Sequence, residues 1–439
     1  VSGVYEVTAC AVLKSDPSIR SSYTYNVYVV DPGWNIDFKN SISLVSLNKD
    51  GFTISGKLSN IYGDLNAIVS DTPLEDLTYE SFLAHPNLQK VEINSDTIVA
   101  NFAADITTNK IQYIYYMVTN KNQSNTSAMI YSSQTELITV DTLDEFKNLA
   151  STGKKGEETP STTTIYTLSK DLDFKDYEWA IPSKTEAKSF SGLFNGNGHT
   201  IKNITITGAS ADKTVNVFFK VANGTIMNVN FDSITIHNTD TAAGKQVGII
   251  GDLQGGYLHN IKMTNISAKG REGVAALVGQ VTGGENYITQ CSLVNPIPEK
   301  FEDNKYVISA VNKYAGGIVG NGQKNNDQST FKLTVMDCYV KAIIGDGNDA
   351  GGNTGGIVGR VKNESSVYYT HIERCYYEGT IIAKGNYNAG IIGDFDNGQG
   401  HVVIKHNFSD ATFYFAGSYL DAKEAQKAGA TQLYAHKNT

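Results

Sequence analysis

Apolar and polar residues alternate with a period of two through most of the chain, and no long stretch carries the 3.6-residue period of a helix. Tyr5, Val7, Ala9, Ala11 and Leu13 fall on one face of a first segment, and Tyr23, Tyr25, Val27 and Val29 repeat the pattern after a polar turn. That spacing predicts two strands, too few for an independent sandwich, so residues 1–33 read as the C-terminal strands of an immunoglobulin-like domain that begins upstream. Seven short strands follow, at Ser41–Leu47, Phe52–Leu58, Leu65–Ser70, Val91–Ile93, Thr97–Phe102, Ile111–Val118 and Ser127–Ser132. Seven strands in about 100 residues predict a β-sandwich over 34–136. Its Tyr113, Ile114, Tyr115 and Tyr116 read as half-buried packing residues of a strand, in preference to an aromatic sugar platform.

Past residue 137 the pattern changes to repeated glycine-flanked apolar pairs. The cassettes are Val247-Gly248-Ile249-Ile250-Gly251, Val274-Ala275-Ala276-Leu277-Val278-Gly279, Ala315-Gly316-Gly317-Ile318-Val319-Gly320, Thr354-Gly355-Gly356-Ile357-Val358-Gly359 and Ala389-Gly390-Ile391-Ile392-Gly393. Their final glycines are 28, 41, 39 and 34 residues apart. Unequal steps argue against a propeller blade of fixed length and fit a solenoid whose turns return to the same place while loops of varying length bulge outward. The glycines are expected where the backbone needs positive φ or close approach. The Ile/Val pairs are expected to point inward and stack on their equivalents about 4.8 Å away. A second recurring element contains Asn228, Asn260, Cys291, Cys338, Cys375 and Asn407; aligned with Asn203, these residues are expected to share one column, with stacked amides and buried cysteines.

The stretch from Phe190 to Ile204, FSGLFNGNGHTIKNI, together with the Gly-Gly-Ile-Val-Gly cassettes, resembles the GLUG-repeat β-helices of bacterial surface proteins. The β-helix regions of immunoglobulin-A1-cleaving zinc metallopeptidases carry similar rungs, and 34–136 resembles a fibronectin type III module in strand order. These resemblances imply an all-β protein. A right-handed parallel β-helix over 137–419 would be preceded by a sandwich and the remnant of another, in an extracellular, anchored, multi-domain setting. Both ends of such a coil need covering. Thr142-Leu143-Asp144-Glu145 is a capping-box signature opening a helix Asp144–Ala150 before the first rung. Asp421-Ala422-Lys423-Glu424 opens another after the last, closed by Gly429, within a capping segment 420–439.

Composition narrows the chemistry. The 439 residues include 41 Gly and 25 Tyr but 8 Pro and 2 Trp, a mix suited to strands joined by tight turns. With 36 basic and 45 acidic residues the net charge is -9, unblocked along the chain, so nucleic acid is not an expected partner. Abundant Lys, Asn and Ile point to a low-GC bacterium. No apolar run of about 18 residues supplies a membrane span. The chain opens at Val1 within a strand and reads as part of a longer polypeptide. Cys10, Cys291, Cys338 and Cys375 form no C-x-x-C pair, which argues against a zinc ribbon or redox motif.

The eight histidines form no H-E-x-x-H, so the metallopeptidase resemblance does not extend to protease chemistry. Gly345-Asp346-Gly347-Asn348-Asp349-Ala350 precedes no helix and is no dinucleotide fingerprint. Oxygen-bearing side chains gather at Asp346, Asn348 and Asp349 and again at Asp394, Asp396 and Asn397. These are the candidates for structural calcium, read beside ordinary solvated turns. Asp252, Asp337, Glu373 and Arg374 are the residues a lyase or hydrolase on the coil would draw on, each more simply read as a surface charge. No catalytic or cofactor-binding residue is assigned. The expected role is a non-catalytic extracellular stalk or adhesin, on the cell surface or secreted, with a glycan or host surface protein as partner. The alternatives are a polysaccharide lyase or glycoside hydrolase acting on the coil, and the non-catalytic portion of a larger surface protease.

Overall fold

The computed structural model describes residues 3–13, 16–29, 42–48, 50–57, 63–93, 97–106, 110–120, 130–154, 156, 164–179, 186–208, 215–240, 245–299, 303–323, 330–346, 352–362, 368–383, 387–396, 401–415, 418–420 and 434–436. It divides into two compact units, Val1–Leu137 and Ile138–Thr439.

In the first unit, strands Gly3–Leu13 and Asp16–Val29 pair antiparallel with Tyr5 opposite Val27, Val7 opposite Tyr25 and Ala9 opposite Tyr23. Three strands, Ile42–Asn48, Gly51–Lys57 and Thr97–Ala103, form one antiparallel sheet. Four others, in the order Gln89–Ile93, Gly63–Ser70, Ile111–Asn120, Tyr131–Val140, form a second. The last of these runs to Val140, past the point where the sequence suggested that the coil begins. A five-residue helix, Tyr79–Leu83, was not foreseen; Thr78 and Ser81 close its capping box, and Phe82 packs on Ile68, Tyr115 and Met117. Tyr115 and Tyr116 are buried, as expected of packing residues.

The second unit is a parallel β-helix. Alternate residues of each strand face inward, and the register stacks them in columns. One column runs Tyr166, Phe194, Ile226, Leu258, Ile288, Val335, Ile372, Ile404, each paired with the next across parallel strands. Another carries the cassettes: Phe218, Ile250, Val278, Val319, Val358, Ile392. A third runs Leu172, Ile201, Phe231, Met263, Leu293, Val340, Tyr377. These columns merge into one continuous apolar core, and each fully buried Ile, Leu or Phe in it contributes about 1.5–3 kcal/mol.

The cassette glycines serve close approach alone, since none of them has a positive φ. At Gly316 an added Cβ would lie 2.1 Å from the Val319 carbonyl oxygen and 2.6 Å from the Gly359 nitrogen. Positive φ belongs instead to corner columns held mostly by polar residues. Asn228, Asn260, Gln290, Asp337, Arg374 and His406 make one such corner, and Asn203, Ser233 and Asn265 another.

This arrangement corrects the expected asparagine and cysteine alignment. Asn203 belongs to a different corner from Asn228, and the cysteines sit one position past the Asn228–Asn260 corner, in line with Val229 and Ile261. A polar residue at a left-handed corner and the buried residue after it are neighbours in sequence, and the alignment merged them. One link of the expected amide ladder is present, with Asn260 Nδ2 donating to Asn228 Oδ1 (2.9 Å); Asn228 Nδ2 goes on to Asn195 Oδ1 (3.2 Å), which is in register with Met227 and lies outside that column. Cys291, Cys338 and Cys375 are free and buried. Burial pushes the Cys338 thiol well up, and the Cys375 thiol is raised by its contact with Cys338 and by burial. Iodoacetamide at pH 8 is therefore expected to leave these three unlabelled in the native protein and to label all three in urea; peptide mass spectrometry in a Cys10→Ser background reads this directly.

A ten-residue helix, Leu143–Thr152, precedes the first rung, with the anticipated capping box between Thr142 and Glu145 and Gly153 (φ 80°) closing it. Phe146 enters the end of the core, with its ring 5.8–6.3 Å from those of Phe174, Trp179, Phe194 and Phe218. At the other end, Tyr434–His436 pairs parallel to Ile392–Asp396, and Ser418–Leu420 folds antiparallel onto Phe408–Phe415. The helix expected from Asp421 to Gly429 lies outside the described residues. No helix among the described residues is long and apolar enough to cross a membrane.

Candidate functional site

On the sheet that carries Leu258 and Ile288, the outward positions alternate with the core column and stack in turn. Tyr257, Tyr287, Thr334 and His371 form one outward row, and His259, Thr289, Met336, Glu373 and Lys405 the next. Tyr257 stacks on His259 at 5.6 Å, and His259 Nδ1 lies 2.8 Å from Thr289 Oγ1. Burial pushes the His259 imidazole below its usual value. Lys332 donates to Tyr287 Oη (2.8 Å) and to Glu285 (3.2 Å).

Further along, three of the residues singled out for possible chemistry meet. Arg374 grips Asp337 through two hydrogen bonds of 2.6 and 2.9 Å and reaches Glu373 Oε1 at 2.9 Å. Glu373 also meets His371 (2.9 Å), His406 (3.1 Å) and Lys405 (3.4 Å). Burial works to raise the Glu373 pKa, but His406, Lys405 and Arg374 outweigh it and hold the carboxyl below its ordinary value. The carboxyls of Glu285 and Glu378 are lowered as well, mainly by hydrogen bonds from Tyr287 and Lys341 respectively.

A folded pKa below the unfolded one stabilises the fold above the unfolded value, near 4.5 for Glu, and that stability is lost as pH falls through the folded value. Urea midpoints are thus expected to be flat from about pH 7 to 5 and to fall below about pH 4.5. Glu373→Gln should flatten that fall; an unchanged acid limb would show that this cluster does not contribute.

Asp252 lies apart, on the cassette sheet. Burial raises its pKa, opposed by a 2.6 Å hydrogen bond from Thr282 and by Lys220 at 3.7 Å. Among the calcium candidates, Asp394 is held by Asn353 (2.6 Å) and by Arg360 (3.6 Å), whose guanidinium also covers the Tyr314 ring at 4.8 Å. A carboxylate neutralised in this way is a poor ligand for a hard cation. Asp346 follows Gly345 (φ 88°) at the end of strand Tyr339–Ile344. Asn348 and Asp349 lie outside the described residues, as does the side chain of Asp396. Among the described residues no three His, Cys, Asp or Glu side chains converge to hold a metal.

On a neighbouring face, Tyr339 and Tyr376 stack at 5.5 Å and Phe408 continues the row at 5.3 Å, 64% exposed. Burial and the hydrogen bond to Glu378 push the Tyr339 hydroxyl up to about 12.

The residues that sequence reasoning missed surround a cavity of about 550 Å³. The chain turns tightly after strand Leu172–Asp173, with the Tyr177 N–H donating to the Phe174 carbonyl, and the segment 174–178 overhangs the next two rungs. Phe174, Tyr177, Asn203, Thr205 and Ser233 line the space. Phe174 and Tyr177 meet edge to face at 5.1 Å, and Tyr177 Oη donates to Asp144 (2.6 Å). Asn203 Nδ2 is anchored on Asp173 Oδ1 at 2.7 Å. Nothing in the local sequence joins 174–178 to Asn203 and Ser233; only the rung register does.

No family model matches the chain. Over 155 residues, 31% of this chain, it is 26% identical to Halomucin of Haloquadratum walsbyi, of which that stretch is 2%. Among solved structures, a pectate lyase of Erwinia chrysanthemi crystallised with tetragalacturonic acid aligns over 90% of this chain and 99% of its own, at 10% identity and a TM-score of 0.19.

Proposed function

We propose that this chain is a segment of an extracellular surface protein in which the β-helix acts as a stiff, non-catalytic stalk that displays binding surfaces, with a glycan or host protein as partner. In this reading 34–136 is a fibronectin type III-like sandwich and the coil is of the GLUG type. Its short stretch of likeness to Halomucin, a protein far longer than this chain, fits a segment of a long polypeptide.

The observation that carries the reading is the state of the carboxylates. A glycosidase needs one carboxyl kept protonated by a raised pKa beside a second that stays ionised. On the described outer faces, Glu285, Glu373 and Glu378 are each tied to cations and lowered, and Asp337 is gripped by Arg374. Asp252 is raised, but it is buried, and the groups that act on it are the Thr282 hydroxyl and the Lys220 ammonium. Such pairs brace neighbouring rungs. Incubation with a panel of plant, bacterial and host polysaccharides, followed by mass spectrometry of the products, is expected to return every polymer uncut. Release of shorter oligosaccharides from any of them would overturn the reading.

A further inference from the structure

The corner column Asn203, Ser233, Asn265 holds a left-handed residue in three successive rungs, with φ of 62°, 56° and 56°. Asparagine tolerates this conformation because its short polar side chain bonds locally, and here it does so. Asn203 Nδ2 reaches Asp173 on the preceding rung, and Asn265 Nδ2 reaches Asp232 at 2.8 Å. Ser233 breaks the series. In the preceding rung the equivalent of Asp173 and Asp232 is Lys202, which offers no acceptor to an amide. A serine at this corner is shorter than asparagine, and the space lies under the overhanging segment 174–178, where the cavity is found.

The lining of that cavity has a definite chemistry. The hydroxyls of Ser233 and Thr205 form no hydrogen bond with other described residues, so both are available to a ligand. Asn203 keeps its carboxamide oxygen as an acceptor while its nitrogen is anchored. The Tyr177 ring gives an apolar wall, fixed edge to face on the buried Phe174 ring and by its hydrogen bond to Asp144. At the rim, Lys175, Asp176 and Glu178 supply one positive and two negative charges. An apolar aromatic wall opposed by hydroxyls, an amide and carboxylates matches a ring that is apolar on one face and carries hydroxyls at its edge. The net negative rim disfavours an anionic ring.

We infer that the cavity beneath 174–178 is a binding site for one or two sugar units of a neutral polysaccharide, created where Ser233 interrupts the asparagine corner. This deepens the stalk reading by naming the ligand class and the place where the stalk would hold it.

The test uses the full chain and a defined panel of cello-, xylo-, manno- and chito-oligosaccharides, with oligogalacturonates as the anionic comparison, read by isothermal titration calorimetry and saturation-transfer NMR. At least one neutral oligosaccharide should bind, and the galacturonates should not. Tyr177→Ala should weaken that binding about tenfold or more. Ser233→Asn is the sharper variant: asparagine suits the left-handed corner better than serine, so the melting temperature should hold within about 2 °C, while its larger side chain intrudes on the cavity where the Ser233 hydroxyl would meet the ligand and binding drops about tenfold or more. Absence of binding to every neutral probe, preference for galacturonate, or full affinity in Ser233→Asn would each overturn the inference. These outcomes are separate from those of the stalk reading, which fails on cleavage of a polymer and is untouched by loss of this site.

Discussion

Gly356→Ala is expected to destabilise the coil by about 3 kcal/mol or more, the cost of forcing a methyl group into a packed core with no room to relax. An added Cβ would lie 2.1 Å from the Gly390 carbonyl oxygen and 2.2 Å from Cγ of Tyr377. Neither can retreat. Gly390 belongs to the backbone of the next rung, and Tyr377 is fully buried with its hydroxyl donating to the Ala342 carbonyl at 3.0 Å. The clash would also propagate, because Gly317 one rung earlier already sits against the Gly356 carbonyl. The comparison is Gly198→Ala. Gly198 has φ 79° but nothing within 4 Å of an added Cβ, so the loss there is conformational alone, about 1 kcal/mol. Denaturation followed by circular dichroism should separate the two variants clearly; equal losses would mean that backbone proximity does not explain the cassettes.

The second large effect is expected at the capped end. Phe146→Ala should cost about 3–5 kcal/mol, as for other buried phenylalanines, because its ring contacts four aromatic partners in the first rungs. The helix also covers the end of the core, so its loosening exposes strand edges that can pair with another chain. Size-exclusion chromatography on warming should therefore show association in Phe146→Ala at temperatures where the parent remains monodisperse. Asp144→Asn, which leaves the Phe146 ring in place, should not associate.

Much of the architecture was readable because the cassettes are literal repeats. Their spacings of 28, 41, 39 and 34 residues are the register steps between Ile250, Val278, Val319, Val358 and Ile392. The helix Leu143–Thr152 was equally legible, since a capping box is a local signal. What escaped was set by backbone conformation. The corner occupied by Asn228, Asn260, Gln290, Asp337, Arg374 and His406 shares a positive φ but no residue type, so side-chain identity could not reveal it. The cysteines were displaced by one position for the same reason. The short helix Tyr79–Leu83 uses serine as its third residue, a weaker capping signal than glutamate.

The site was the least legible part. Glu373, Arg374 and Asp337 could be named as charged residues, yet their pairing depends on a 37-residue step between rungs. The cavity beneath 174–178 depends on two such steps at once, plus one serine in place of an asparagine. Contacts of this kind appear only after the register is known.

That register can be measured as a ruler. Lys202, Asp232, Thr264, Val294, Lys341, Glu378 and Asp410 occupy one outward column, one rung apart at each step. Spin labels at 202 and 341 should sit about 19 Å apart and labels at 202 and 410 about 29 Å apart, at about 4.8 Å per rung. In a Cys10→Ser background, with the buried thiols unreactive, pulsed electron resonance should give one narrow distribution for each pair, in the ratio of four rungs to six. Distances that do not grow with rung number, or a broad distribution for either pair, would contradict the stacked parallel coil.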